Sequence, residues 1–262
     1  MHSKDEKLKA FSRLLDIMDE LRLSCPWDKK QNFQSLRKLT IEETYELADA
    51  IINNDKAEIK KELGDLLLHI VFYAKLGSET QDFDIADVCE GISEKLIYRH
   101  PHIYGNTKVK DEAEVLENWE KLKLKEKKNK GVLDGVPKAL PAIVKANRIQ
   151  EKVRGVGFDW DKKEDVWEKV EEELSEFKTE LTEKNNKEKQ ESELGDLLFS
   201  IINAARLYGL DPETALEKTN QKFTKRFNYL EKQTIKKGKS LHDMSLDEMN
   251  IIWEASKKFD KS

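Results

Sequence analysis

ELGDLL occupies residues 193–198 and again residues 62–67. Each copy opens a long helical pattern. Leu194, Leu197, Leu198, Ile201, Ile202 and Ala205 recur at three- and four-residue steps, and so do Ile59, Leu63, Leu66, Leu67, Ile70 and Ala74. That period is the mark of an amphipathic helix rather than a strand. Other segments repeat in the same order at an offset of about 130 residues. Trp27-Asp28-Lys29-Lys30 returns as Trp160-Asp161-Lys162-Lys163, and Glu42-Glu43-Thr44-Tyr45-Glu46 returns as Glu172-Glu173-Leu174-Ser175-Glu176. Lys95 and Arg99 return as Lys222 and Arg226. A duplicated module is the natural source of such a series.

Short polar breaks, Asn53-Asn54-Asp55 and Lys184-Asn185-Asn186, interrupt the helical pattern between the two repeated acidic segments of each copy. Breaks this short make consecutive helices antiparallel. No alternating strand of any length is present, and 5 Pro and 11 Gly are too few for a turn-rich β fold. The expected fold is all-α, with two tandem helical-bundle domains. Between the copies, Lys121 to Lys130 is rich in lysine, and Gly131, Gly135, Pro137 and Pro141 follow. Charge followed by glycine and proline marks a helix running into a linker. The boundaries are therefore set at 1–120 for the first domain, 121–135 for the linker and 136–262 for the second domain. A phosphate-binding tail is the other reading of the lysines, but Glu126 interrupts them.

Apolar and charged residues each make up 38 % of the chain, a balance suited to helices that bury one stripe and solvate the rest. The formal charge is −5, so no global basic field exists for gripping nucleic acid. An anionic ligand needs local cations or a metal. Cys25 and Cys89 have no zinc or disulfide spacing and read as isolated reduced thiols of a cytoplasmic protein. The N-terminus lacks a signal-peptide core and no apolar run is long enough to span a membrane.

Residues three or four apart share a helix face. Glu173 and Glu176 form one such pair, and Glu193 and Asp196 form another on the next helix. An antiparallel hairpin brings all four carboxylates together, beside the apolar stripe. Glu43, Glu46, Glu62 and Asp65 repeat the arrangement and make a second candidate metal site. Converging carboxylates repel one another and resist desolvation. A hard divalent cation relieves both, and ligands that are all oxygen point to Mg²⁺ or Mn²⁺. One Glu-x-x-Glu alone would be an ordinary charged surface; the duplicated set argues otherwise. Gly64 and Gly195 sit inside their helices, where glycine costs about 1 kcal/mol relative to alanine. Close approach of a neighbouring backbone or a ligand would account for them. A di-iron bundle is the rival site. It needs a Glu-x-x-His motif on two helices. His69 follows Asp65 by one turn, but its counterpart is Ser200, so His69 reads as local packing. His100-Pro101-His102 reads as a structural turn. Lys222 with Arg226, one turn apart, is suited to clamping a polyphosphate.

Taken together, Glu-Glu-x-x-Glu followed by Glu-x-x-Asp at this spacing resembles the MazG motif of the all-α nucleoside triphosphate pyrophosphohydrolases. Cys25-Pro26-Trp27-Asp28, Leu96 to His102, Val156-Gly157-Phe158-Asp159-Trp160 and Lys222 to Phe227 extend the likeness to the bacterial two-domain members across nearly the whole chain. The resemblance implies Mg²⁺-dependent hydrolysis of ribo- or deoxyribonucleoside triphosphates to monophosphate and pyrophosphate. It also implies a homodimer and a role in nucleotide-pool control under stress. Activity in such members is attributed to the C-terminal half. On that analogy Glu173, Glu176, Glu193 and Asp196 bind the metal, and Lys169, Glu172, Lys189, Lys222, Arg226 and Trp253 line the nucleotide pocket. Glu172 is the first candidate to activate the attacking water. Lys222 and Arg226 are those to stabilise the departing pyrophosphate. The choice of the α–β bond rests on the resemblance. A non-catalytic helical dimer that binds nucleotide as a regulator is the alternative.

Overall fold

The computed structural model describes residues 1–112, 114–115, 118–119, 122, 131–183, 186–236, 238 and 240–259. All the lysines of the expected linker, and Lys184-Asn185 of the second polar break, lie outside these residues. The described residues contain no strand. The chain divides into two compact units, Met1–Leu122 and Lys123–Ser262.

The N-terminal unit begins with α1 (Lys4–Ser24). Ser3 caps it, and Glu6 reaches back to the Ser3 backbone in a capping box. α2 (Phe33–Ile52) starts at Asn32, whose side chain accepts from the Gln34 and Ser35 N–H groups. α2 ends where Asn54 turns into the left-handed region at φ 54°. Asparagine tolerates that conformation. Asp55 then caps α3 (Lys56–Glu79) by accepting from Ala57 and Glu58. The break Asn53-Asn54-Asp55 therefore both stops one helix and starts the next, and α2 packs along α3. α4 (Ile85–Arg99) and the single turn α5 (Pro101–Tyr104) follow. Pro101 stands at the first helical position of α5, where its missing N–H costs nothing. Met18, Leu36, Val71, Phe72 and Leu76 form the core. Arg22 fixes the end of α1 by pairing with Glu79 at 2.7 Å and donating to the Asp28 and Gln31 carbonyls.

The C-terminal unit comprises α6 (Ala142–Arg154), α7 (Val166–Glu180), α8 (Lys187–Leu207), α9 (Pro212–Lys236) and α10 (Leu246–Ser256). α7 and α8 repeat the α2–α3 hairpin over a smaller core of Val166, Val170, Leu197 and Ala204. Gln150 Nε2 donates to the Phe199 carbonyl at 2.8 Å and ties α6 to α8. Arg206, on α8, clasps the Asp159 carboxylate with two N–H groups, one at 3.1 Å. Burial alone would raise the Asp159 pKa, but hydrogen bonds from Arg206 and the Trp160 N–H outweigh it and lower it.

The apolar stripes on α3 and α8 are wider than one partner covers. Val71, Phe72, Ala74, Leu197, Ile202 and Ala204 are buried. Leu63, Leu67 and Ile70, with Leu194, Leu198 and Ile201, stay about half exposed within the chain. Each helix thus presents a second apolar row. Among the described residues, nothing outside each glycine's own helix turn lies within 4 Å of a Cβ built on Gly64 or Gly195. The close approach expected at these glycines is therefore not made by another described segment of the chain. Cys25 and Cys89 are free thiols. No helix among the described residues is long and apolar enough to cross a membrane.

Candidate functional site

The α7–α8 hairpin sets Glu173, two turns into its helix, against Glu193 and Asp196 on the returning helix. One oxygen from each of the three lies within 4.8 Å of the others. Glu173 is buried, Glu193 is half-buried and Asp196 is exposed. The cluster thus has one desolvated carboxylate and one that faces solvent, with Glu193 between them in burial. Glu176 stands outside the triple and is exposed, though its charge is felt. Partial burial, followed by repulsion from Glu176 and Asp196, raises the Glu193 pKa above its ordinary value. The α2–α3 hairpin builds the same object from Glu43, Glu62 and Asp65, again within 4.8 Å. Burial, then the charges of Asp65 and Glu46, raises the Glu43 pKa. Glu46 is exposed and outside that triple. The donors are all carboxylate oxygens, which fits a hard divalent cation.

His69 is buried one turn beyond Asp65, outside the triple, and burial lowers its pKa. Its Nδ1 has no hydrogen-bond partner among the described residues. Ser200, at the equivalent place, donates to the Leu197 carbonyl at 2.8 Å.

Cations border the C-terminal triple. Lys169 Nζ is 2.7 Å from Glu173 and 3.1 Å from Glu172. Its pKa is raised, first by the bond to Glu173 and then by that to Glu172. Lys189 is held by Glu180, which is only 8 % exposed. Asn186 donates to the other Glu180 oxygen at 3.2 Å. Glu180 carries no motif and was not singled out from sequence; its place at the buried end of α7 is a tertiary fact.

Lys222 and Arg226 lie on a different helix pair. They line a cleft of about 530 Å³ between α9 and the end of the chain, with Lys218, Lys225, Tyr229 and Phe259. Arg226 sits over the Trp253 ring at 5.6 Å, and the Phe223 ring, tilted by 55°, meets the same ring at 5.0 Å. Trp253 is half-buried. Lys218, Lys222 and Lys225 follow a helical step on one face of α9.

A family model described as the MazG nucleotide pyrophosphohydrolase domain matches residues 31–104 and 162–230, one stretch in each unit. The chain is 40 % identical over 258 residues to the nucleoside triphosphate pyrophosphohydrolase of Escherichia coli K12, covering 96 % of this chain and 98 % of that one. It is 40 % identical over 256 residues to the nucleoside triphosphate pyrophosphohydrolase/pyrophosphatase MazG of Thermotoga maritima, covering 96 % and 97 %. It is also 46 % identical over 264 residues to the protein YabN of Bacillus subtilis, covering 98 % of this chain and 54 % of that one.

Proposed function

The chain belongs to the MazG family of nucleotide pyrophosphohydrolases, and from that premise we propose that its C-terminal unit hydrolyses nucleoside triphosphates at the α–β bond with Mg²⁺. The observation that carries the reading is the convergence of Glu173, Glu193 and Asp196 beside Lys169 and Glu172. Glu173, Glu193 and Asp196 would hold the ion, with Glu176 at its margin; Mn²⁺ suits the same ligands. A divalent ion there supplies charge neutralisation and Lewis acidity to the phosphate oxygens. Glu172, exposed and paired with Lys169 at 3.1 Å, is our candidate to take a proton from water. The water oxygen bonds to the α-phosphorus as the bridging oxygen leaves with pyrophosphate. Lys169 and Lys189 ring the triple and suit the phosphate chain. Lys222 and Arg226 suit the departing charge, and Trp253 suits the base.

The exposed apolar rows on α3 and α8 support a homodimer, because surfaces of this kind are rarely left open on a lone chain. Trimming nucleotide pools in the cytoplasm is the role this reading assigns.

Product analysis tests it. A nucleoside triphosphate panel should yield monophosphate and pyrophosphate only when Mg²⁺ is present. Diphosphate and inorganic phosphate would overturn the bond assignment. Glu193→Gln should abolish turnover while the helical circular dichroism is kept, and full activity in that variant would sink the site.

A further inference from the structure

Two lysines stand one turn before an acid of the C-terminal triple, and they behave differently. Lys169 precedes Glu173 by four residues and closes on it at 2.7 Å. Lys189 precedes Glu193 by the same four residues, a spacing at which lysine and glutamate meet on a helix. Its ammonium bonds instead to Glu180, across the hairpin. Glu193 and Lys189 act on each other only as charges, without a hydrogen bond.

Glu180 occupies an awkward place for an acid. It is the last residue of α7 and only 8 % exposed. A negative charge is disfavoured both by burial and by the negative end of a helix. Yet Glu180 is firmly held. Asn186 donates to its second carboxylate oxygen at 3.2 Å, and the Gln190 side chain donates to its backbone carbonyl at 2.9 Å. Glu43 aligns with Glu173 and Glu62 with Glu193, so Glu180 aligns with Ala50, and Lys169 and Lys189 align with Leu39 and Glu58. Ala50 is buried as well, so an apolar side chain fills that place in the other copy. On that hairpin Lys61 closes on Glu62 itself at 2.6 Å, and on Glu58 at 2.9 Å. The acid at 180 and the lysine at 189 thus occur together in one copy and are both replaced in the other.

Charge balance gives the pair a task. Glu173, Glu193 and Asp196 together with Lys169 carry two net negative charges, the match for one dication. A second lysine closed on Glu193 would cancel one of those charges and occupy an oxygen that the ion needs. We propose that Glu180 is a positioning residue that holds the Lys189 ammonium off Glu193, leaving Glu193 to the divalent ion and the lysine to the phosphate chain. The proposal rests on the function assigned above to the C-terminal unit, and its test separates the two.

Mn²⁺ binding to the full-length chain is followed by electron paramagnetic resonance, with the N-terminal acids the same in every chain compared. Glu180→Ala should free Lys189 to close on Glu193 and weaken binding at the C-terminal triple about fivefold. Lys189→Ala should not weaken it. The double variant, Glu180→Ala with Lys189→Ala, should bind as tightly as Lys189→Ala alone. A merely structural role for Glu180 would give no such recovery, because a hairpin damaged by losing Glu180 stays damaged when the lysine is also removed. Glu180→Gln, which keeps the shape and the contact with Asn186, should act in the same direction and serves if Glu180→Ala folds poorly. Unchanged Mn²⁺ affinity in both Glu180 variants, or a double variant as weak as Glu180→Ala, would overturn the inference. In either case, weakened Mn²⁺ binding and lost turnover in Glu193→Gln would leave the proposed function standing, and their retention would remove it as well.

Discussion

Two carboxyl groups, Glu43 and Glu193, have pKa values above the ordinary 4.5. The native state therefore keeps protons there that the unfolded chain has released. Stability falls as pH rises from 4.5 through the raised values, and stays lowered above them. A divalent ion binds the ionised form and reverses the loss. The gain in Tm from adding Mg²⁺ over EDTA should be small near pH 4.5 and grow toward pH 7. An equal gain at both pH values would dismiss like-charge repulsion as the driving term. Trp253 lends itself to a second test at this scale. Losing a stacked base costs about 1–3 kcal/mol, so Trp253→Ala should raise KM for triphosphates about tenfold, with kcat changed much less. A fall in kcat alone, measured by steady-state kinetics, would make Trp253 a packing residue only.

Among the elements, the α7–α8 hairpin and the segment before it depend on the clasp between Arg206 and Asp159. Arg206 is only 7 % exposed as a side chain. Removing one partner of such a pair strands a buried charge and costs about 3–5 kcal/mol. Asp159→Asn should lower the midpoint of urea unfolding accordingly, and because two units are present the loss should fall on one transition of the curve. The lowered Asp159 pKa gives this clasp its sign. Its contribution is present above the ordinary value of 3.8 and is lost as pH falls through the folded value. The α2–α3 hairpin depends instead on turn chemistry. Asn54 at φ 54° is a position where a β-branched residue is strained. Asn54→Val should destabilise the N-terminal unit by about 1–2 kcal/mol, read by the same denaturation.

For the molecule as a whole, the open question is what covers the second apolar row of α3 and α8. If two chains meet there, Leu198→Asp should convert a dimer to a monomer in sedimentation velocity at micromolar concentration. A wild-type chain that sediments as a monomer would refute the dimer. Duplication also shapes function at this scale, because it supplied two carboxylate triples on which Lys169 and Lys189 were placed in one copy and not in the other.

Much of this was legible in the amino-acid order because it is local and periodic. The repeated ELGDLL, its stripe and the polar break at Asn53-Asn54-Asp55 settle helix, hairpin and duplication, since helix periodicity and capping act within a few residues. The i, i+3 carboxylate pairs likewise announce which acids can share a face. Tertiary packing decided the rest. Which three of four acids meet, that Glu62 rather than its counterpart Glu193 is fully buried, that Glu180 holds Lys189, and that Leu63 and Leu194 stay open all depend on side chains distant in sequence. Burial and pair geometry arise only when helices cross, and no spacing along one helix encodes how deeply its neighbour will cover it.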